Sequence, residues 1–297
     1  MTLQMRSSVG AFSVHAVAAV LIAFAATTGA DALQQTSGQP QAATRSSSDG
    51  GLPPLIDREL FFGNPEISTG TISPDGRFIA FRKPWNETMN IWVKGVAEPF
   101  AQAKRLTAET RRPIPAFFWS RDSKYILFVQ DQGGDENYNV YAVNPADAPD
   151  AGTQVPKARN LTDAKNVRAK IYDLPRHSPD LMYVGLNDRD AAWHDLYEVK
   201  ISTGERKLLR KNTDKIAGWI IDRVGKPRLA LRTADNGDTE ILKVTDTGFE
   251  KVYSCTVFET CNPLQFHTDN ARVYMETNRG EPDLTRLILL YRYSNLV

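Results

Sequence analysis

The apolar residues of this chain fall into short runs separated by polar turns, and the whole arrangement recurs. A polar turn leads into an apolar strand, an acidic or Asn-rich turn follows, and a second strand runs into another turn. The block first reads Ile72-Ser73-Pro74-Asp75-Gly76-Arg77-Phe78-Ile79-Ala80-Phe81, then Asn86-Glu87-Thr88-Met89-Asn90, then Ile91-Trp92-Val93. It returns as Trp119-Ser120-Arg121-Asp122 leading into Tyr125-Ile126-Leu127-Phe128-Val129, Gly133-Gly134-Asp135-Glu136-Asn137 and Val140-Tyr141-Ala142-Val143. Further copies open at His177-Ser178-Pro179-Asp180, at Asp222-Arg223-Val224-Gly225 and at His267-Thr268-Asp269-Asn270. β-Branched and aromatic runs punctuated by Pro-Asp-Gly and Asn-Gly-Asp turns predict antiparallel strands. A period of roughly 40 to 50 residues holding about four strands is that of a β-propeller blade. The expected fold is therefore all-β, a β-propeller of four-stranded antiparallel blades, of which about five fit between Pro53 and the end of the chain. Lys104-Arg105-Leu106-Thr107 and Arg159-Asn160-Leu161-Thr162 fit the outer strand of their blades. No long amphipathic helical pattern and no βαβ alternation interrupts the series.

The amino terminus breaks this pattern. Arg6 precedes the apolar run Ala16 to Ala26, and the small-x-small site Ala30-Asp31-Ala32 follows. That order is the signature of a secretory signal peptide, with cleavage expected between Ala32 and Leu33 and delivery to a periplasm or the extracellular space. The run is about half of the roughly 20 residues a spanning helix requires, so no membrane attachment is expected after cleavage. Residues 33–52 are Gln, Ser, Thr, Gly and Ala with few large apolar side chains, and read as a flexible leader. Asp57-Arg58-Glu59-Leu60-Phe61-Phe62 predicts one short helical turn presenting two rings to the main body.

Composition narrows the functions. Of 297 residues, 36 are Lys or Arg and 35 are Asp or Glu, a net charge of +1. That balance supplies no global field for nucleic acid or an anionic membrane, so neither is an expected partner. The two cysteines, Cys255 and Cys261, lack the further thiols or nearby histidines of a zinc site, and no metal or other cofactor is expected. In an exported protein they can close a small loop as a local disulfide; the alternative is two separate thiols.

Several motifs together resemble a known family. Leu60-Phe61-Phe62-Gly63-Asn64-Pro65-Glu66-Ile67, Ser73-Pro74-Asp75-Gly76, Trp119-Ser120-Arg121-Asp122, Asp131-Gln132-Gly133-Gly134-Asp135-Glu136-Asn137-Tyr138 and Gly185-Leu186-Asn187-Asp188-Arg189-Asp190 stand in the order seen in secreted bacterial members of the prolyl oligopeptidase family of serine peptidases. The resemblance covers about residues 53–289. It implies a propeller of about seven blades that caps an α/β-hydrolase domain bearing a Ser, Asp and His triad, restricting access to short peptides. The chain departs from it too. The hydrolase nucleophile sits in Gly-x-Ser-x-Gly, and no such pentapeptide occurs in the sequence. The expectation is a partial propeller over residues 53–290, truncated before its catalytic partner domain, with an aberrant tail at 291–297 and no peptidase activity of its own. The competing reading is a stand-alone periplasmic propeller acting as an interaction scaffold.

No catalytic residue is assigned. His177 and His267 stand where Trp119 stands in its repeat, a packing position, and His194 has no serine elbow to serve. Asp135-Glu136-Asn137 and Asp188-Arg189-Asp190 put carboxylates together, but the same turn recurs as Asn236-Gly237-Asp238 and Asn278-Arg279-Gly280-Glu281, which favours a structural turn. Trp85, Trp92, Trp119, Trp193 and Trp219 are spread over the repeats and fit packing between blades.

Overall fold

The structure, a computed structural model, describes residues 55–63 and 65–290. The signal peptide, the cleavage site at Ala32 and Leu33, the leader and the tail at 291–297 lie outside them. Among the described residues one helical turn, α1 (Arg58–Phe62), precedes the strands. Asp57 caps it by accepting from the Glu59 amide at 3.0 Å, and the Gly63 amide closes its other end on the Glu59 carbonyl at 2.8 Å. The expected docking of its two rings is not found. Phe61 and Phe62 are 63% and 82% exposed, and none of the turn's residues is buried.

The strands then form five consecutive antiparallel sheets. Sheet 1 comprises β1 (Ser68–Ile72), β2 (Phe78–Trp85), β3 (Thr88–Gly95) and β4 (Lys104–Arg105). Sheet 2 comprises β5 (Ala116–Trp119), β6 (Ile126–Gln130), β7 (Asn139–Val143) and β8 (Arg159–Asn160). Sheet 3 comprises β9 (Ala169–Asp173), β10 (Leu181–Asp190), β11 (Trp193–Lys200) and β12 (Arg206–Arg210). Sheet 4 comprises β13 (Ile216–Ile221), β14 (Pro227–Thr233), β15 (Thr239–Val244) and β16 (Phe249–Cys255). Sheet 5 has β17 (Cys261–Phe266), β18 (Val273–Thr277) and β19 (Arg286–Leu290) among the described residues. Strands pair in chain order within every sheet.

What joins the sheets follows from the period of two along a strand. In Ile126-Leu127-Phe128-Val129, Ile126 and Phe128 pack with Ala80, Ile91 and Val93 of sheet 1. Leu127 and Val129 point the other way, to Met182, Val184 and Leu186 of sheet 3. Sheet 3 repeats the division: Tyr183 and Leu196 meet Trp219 and Ala230 of sheet 4. Leu229 and Ile241 of sheet 4 meet Val273 and Met275 of sheet 5. Each middle sheet is thus buried on both faces, which explains runs that are apolar at every position rather than at alternate ones. Neighbouring sheets also touch through their first strands, β1 with β5, β9 with β13 and β13 with β17. First strands therefore lie innermost in a radial stack, the architecture of a propeller. Trp119 and Trp219 sit in two of these interfaces, as their spacing implied.

Two polar devices hold the repeat together. In sheet 1 the buried Asn90 accepts from Thr107 Oγ1 at 2.9 Å and the Glu109 amide at 2.7 Å, while its Nδ2 donates to the Thr88 and Glu109 carbonyls. Sheet 2 repeats this with Asn139, Thr162 and Ala164. The second device is the turn between first and second strands. Ser73 Oγ donates to Asp75 at 2.6 Å and accepts from the Phe78 amide at 3.0 Å. Gly76 supplies the left-handed φ of 75° there. Ser123 and Asn270 hold equivalent positions at φ 62° and 56°, and their side chains explain the departure from glycine. Ser123 Oγ accepts from the Asp75 amide at 3.0 Å and Asn270 Oδ1 from the Arg223 amide at 2.7 Å, each latching its turn to the neighbouring sheet's.

Candidate functional site

The first-to-second-strand turns of sheets 2 to 5 converge on one end of the stack, around a charged cavity of about 60 Å³. Arg121 comes from the β5–β6 turn, Asp173 and Arg176 from the end of β9 and its turn, and Asp222 and Arg223 from the β13–β14 turn; Phe266 closes the wall. Arg121 is held by Nε donating to the Leu174 carbonyl at 2.8 Å. Burial pushes the Asp173 carboxyl up to about 6, against the pull of Arg121 and, more weakly, of His177 and Arg223. Asp222 is fully buried but satisfied: it accepts from the Lys226 and Val224 amides at 2.8 and 3.0 Å, from Arg228 at 3.1 Å and from Asn270 at 3.2 Å. Sequence reasoning missed this cluster, whose members stand some 50 residues apart. The available signal was an arginine in each of three successive turns.

The second-to-third-strand turns hold the acidic motifs. Asp135 accepts from the amides of Asn137 and Gln132 at 3.1 and 3.2 Å and from Asn137 Nδ2 at 3.1 Å. The bonds from Asn137 hold its carboxyl below the usual range. Asp190 accepts from the Ala192 amide at 2.9 Å, and Asp188 from Tyr197 Oη at 3.0 Å. These carboxylates close their own turns, and their geometry assigns no acid or base role. Arg189 turns inward from the same turn and grips Asp195 through two bonds of 2.7 and 2.8 Å.

His194 is 7% exposed, its Nε2 has no hydrogen-bond partner, and burial beside Lys170 and Arg168 lowers its pKa to about 4. It is a neutral packed ring at neutral pH. His177 lies at the sheet 3–sheet 4 boundary, where a Cβ added to Gly225 would come within 3.1 Å of its Nε2. His267 accepts from the Asp269 amide of its own turn at 3.3 Å and tilts against Tyr274. Cys255 ends β16 and Cys261 opens β17, with Cα atoms 6.1 Å apart and the two sulfurs in bonding contact. Among the described residues no group of three acidic, His or Cys side chains is placed to hold a metal ion, and no helix is long and apolar enough to cross a membrane.

Five sheets in chain order, first strands innermost and separate cores between neighbours define a protein of the β-propeller class. No protein-family model matches the chain. Among curated proteins it is 33% identical over 229 residues to dipeptidyl aminopeptidase BIII of Pseudoxanthomonas mexicana, covering 76% of this chain and 32% of that protein. It is 27% identical over 185 residues to dipeptidyl peptidase family member 6 of Caenorhabditis elegans, covering 62% of this chain and 24% of that protein. The chain is a homologue of these peptidases over its propeller, as its motifs implied, and it spans about a third or less of their length. Solved structures with similarity include oligopeptidase B from Leishmania major, with TM-score 0.48, 11% identity and 70% of this chain against 30% of that one. A putative TolB from Agrobacterium tumefaciens gives TM-score 0.44 and 12% identity over 77% of this chain and 78% of that one.

Proposed function

We propose that this chain is the substrate-gating propeller of an exported serine peptidase of the prolyl oligopeptidase family, which acts on peptides together with an α/β-hydrolase domain. The observation that carries the reading is the 33% identity to a dipeptidyl aminopeptidase, maintained over 229 residues. The division of labour follows from chemistry. Acyl transfer needs an activated nucleophile and an oxyanion hole, and the nucleophile elbow motif is absent from this sequence. On this reading the stack of packed sheets instead frames the route by which substrate reaches that domain. Joined to the hydrolase domain of the dipeptidyl aminopeptidase it resembles, the chain is expected to confine hydrolysis to short peptides. Cleavage of unfolded casein as fast as by the hydrolase domain alone would overturn the gating role.

Export is part of the same proposal, with cleavage between Ala32 and Leu33, and rests on the apolar run followed by a small-x-small site. In an oxidising compartment Cys255 and Cys261 are then bonded, which their 6.1 Å Cα separation permits. Mass spectrometry of exported material checks both: an amino terminus at Leu33 and no thiol labelled under denaturing, non-reducing conditions are expected. An intact Met1 or two labelled cysteines would contradict the respective part.

A further inference from the structure

The charged cavity presents opposite charges that surround a space without meeting across it. Arg176 and Arg223 form no ion pair among the described residues, and neither does Asp173. Arg121 spends only its Nε, on a backbone carbonyl, and its terminal nitrogens make no bond among the described residues. Three guanidinium groups from three different sheets therefore line one opening with donors to spare. Asp222 does not cancel them, since it is consumed by Arg228, Asn270 and two amides. Planar forks of N–H donors match a carboxylate in two-point geometry. A volume of about 60 Å³ holds a few waters, which a terminal carboxylate and its neighbouring atoms can replace, but leaves no room for a large side chain.

We infer that this cavity is a binding site for the α-carboxylate of a peptide, held by Arg121, Arg176 and Arg223 with the Asp173 carboxyl beside it. That the carboxylate belongs to a peptide rests on the gating proposal; the charge geometry does not. Two carboxyl groups in one small space cannot both be ionised at low cost. The incoming carboxylate therefore raises the Asp173 pKa further, and binding takes up one proton on Asp173 wherever the free site has lost it. Arg121, His177 and Arg223 pull against the protonated form of Asp173, and Arg176, Arg228 and Asp222 complete the charged surroundings. Burial outweighs that pull, so affinity is greatest below about pH 6 and falls by up to tenfold per pH unit above it.

The test is calorimetric titration of the full chain with acetyl-tetra-alanine, its carboxamide, sodium formate and inorganic phosphate, at pH 5.5 and 7.5. The expected result is that the free acid binds, the carboxamide binds at least tenfold more weakly, and affinity for the acid drops more than tenfold between the two pH values. Arg223→Gln and Arg176→Gln, both at exposed positions, should each weaken the acid at least tenfold with an unchanged circular dichroism spectrum. Asp173→Asn should retain binding and lose its pH dependence. Equal binding of acid and carboxamide, or no response to either arginine variant, overturns the site. Saturation by formate or phosphate with no added affinity from the peptide overturns the peptide assignment. Loss of all binding, in a chain that still confines a joined hydrolase domain to short peptides, would remove this site and leave the gating function standing.

Discussion

Sheets 1 and 3 solve one problem with different chemistry. In each, a residue on the third strand must tie the start of that strand to the chain leaving the fourth. Sheet 1 uses the neutral Asn90 with Thr107, and sheet 2 copies it with Asn139 and Thr162. Sheet 3 places Asp195 at that position, 1% exposed, and bonds it to the Asn212 amide at 2.7 Å. A buried carboxylate needs a counter-charge, which is why Arg189 leaves an otherwise acidic turn and folds inward to make its two short bonds. The sequence Asp188-Arg189-Asp190 looks like a carboxylate cluster until its middle residue is seen to belong to a different network.

The comparison is broken most severely by removing the arginine. Arg189→Gln leaves Asp195 buried without its partner, and the largest loss of stability among these variants is expected in urea unfolding. The pH response identifies the cause. Burial alone would raise the Asp195 pKa, but the bonds from Arg189 and Asn212 outweigh it and hold the carboxyl below its ordinary value. Its stabilising contribution is therefore complete above the unfolded carboxyl pKa and is lost as pH falls through the lower folded value. The gap between Arg189→Gln and the unaltered protein should narrow in acid; a gap independent of pH would mean that packing, not charge, sets the cost.

The neutral counterpart should be milder. Asn90→Ala strands the Thr107 hydroxyl and the Glu109 amide, and about 2 kcal/mol is expected, with no pH dependence between 4 and 8. A loss equal to that of Arg189→Gln would erase the distinction between the two solutions. The latches between turns come next. Asn270→Gly removes the bonds to the Arg223 amide and Asp222 while relieving a left-handed φ of 56°, so a net loss of about 1 kcal/mol is expected from the shift in Tm. A gain in Tm would show that backbone conformation outweighs the latch.

The smallest effect concerns exposed turns. Asp75, bonded to Ser73 and Arg77, titrates at about 2, and Ser73→Ala should move its NMR titration midpoint upward toward the ordinary carboxylate range. An unmoved midpoint would assign the depression to Arg77 alone.

These contrasts also mark what the sequence could disclose. The blades were legible because each interface recurs as an apolar run at constant spacing, and Lys104-Arg105 and Arg159-Asn160 were placed as outer strands for the same reason. The exposure of Phe61 and Phe62 was not, since apolar character does not say whether a partner surface lies within reach. Nor was the role of Arg189, which depends on a bond to Asp195 across a hairpin. The cavity of Arg121, Asp173, Arg176 and Arg223 stayed hidden because radial stacking brings together residues that no local motif joins.

The proposed function gives this chain the shaping of access to a peptidase site and leaves the acyl-transfer chemistry to the hydrolase domain. It is tested most directly by the turnover of dipeptidyl chromogenic substrates by the purified chain, measured before and after treatment with a serine-directed fluorophosphonate. No turnover and no covalent labelling are expected; turnover abolished by the fluorophosphonate would contradict the account.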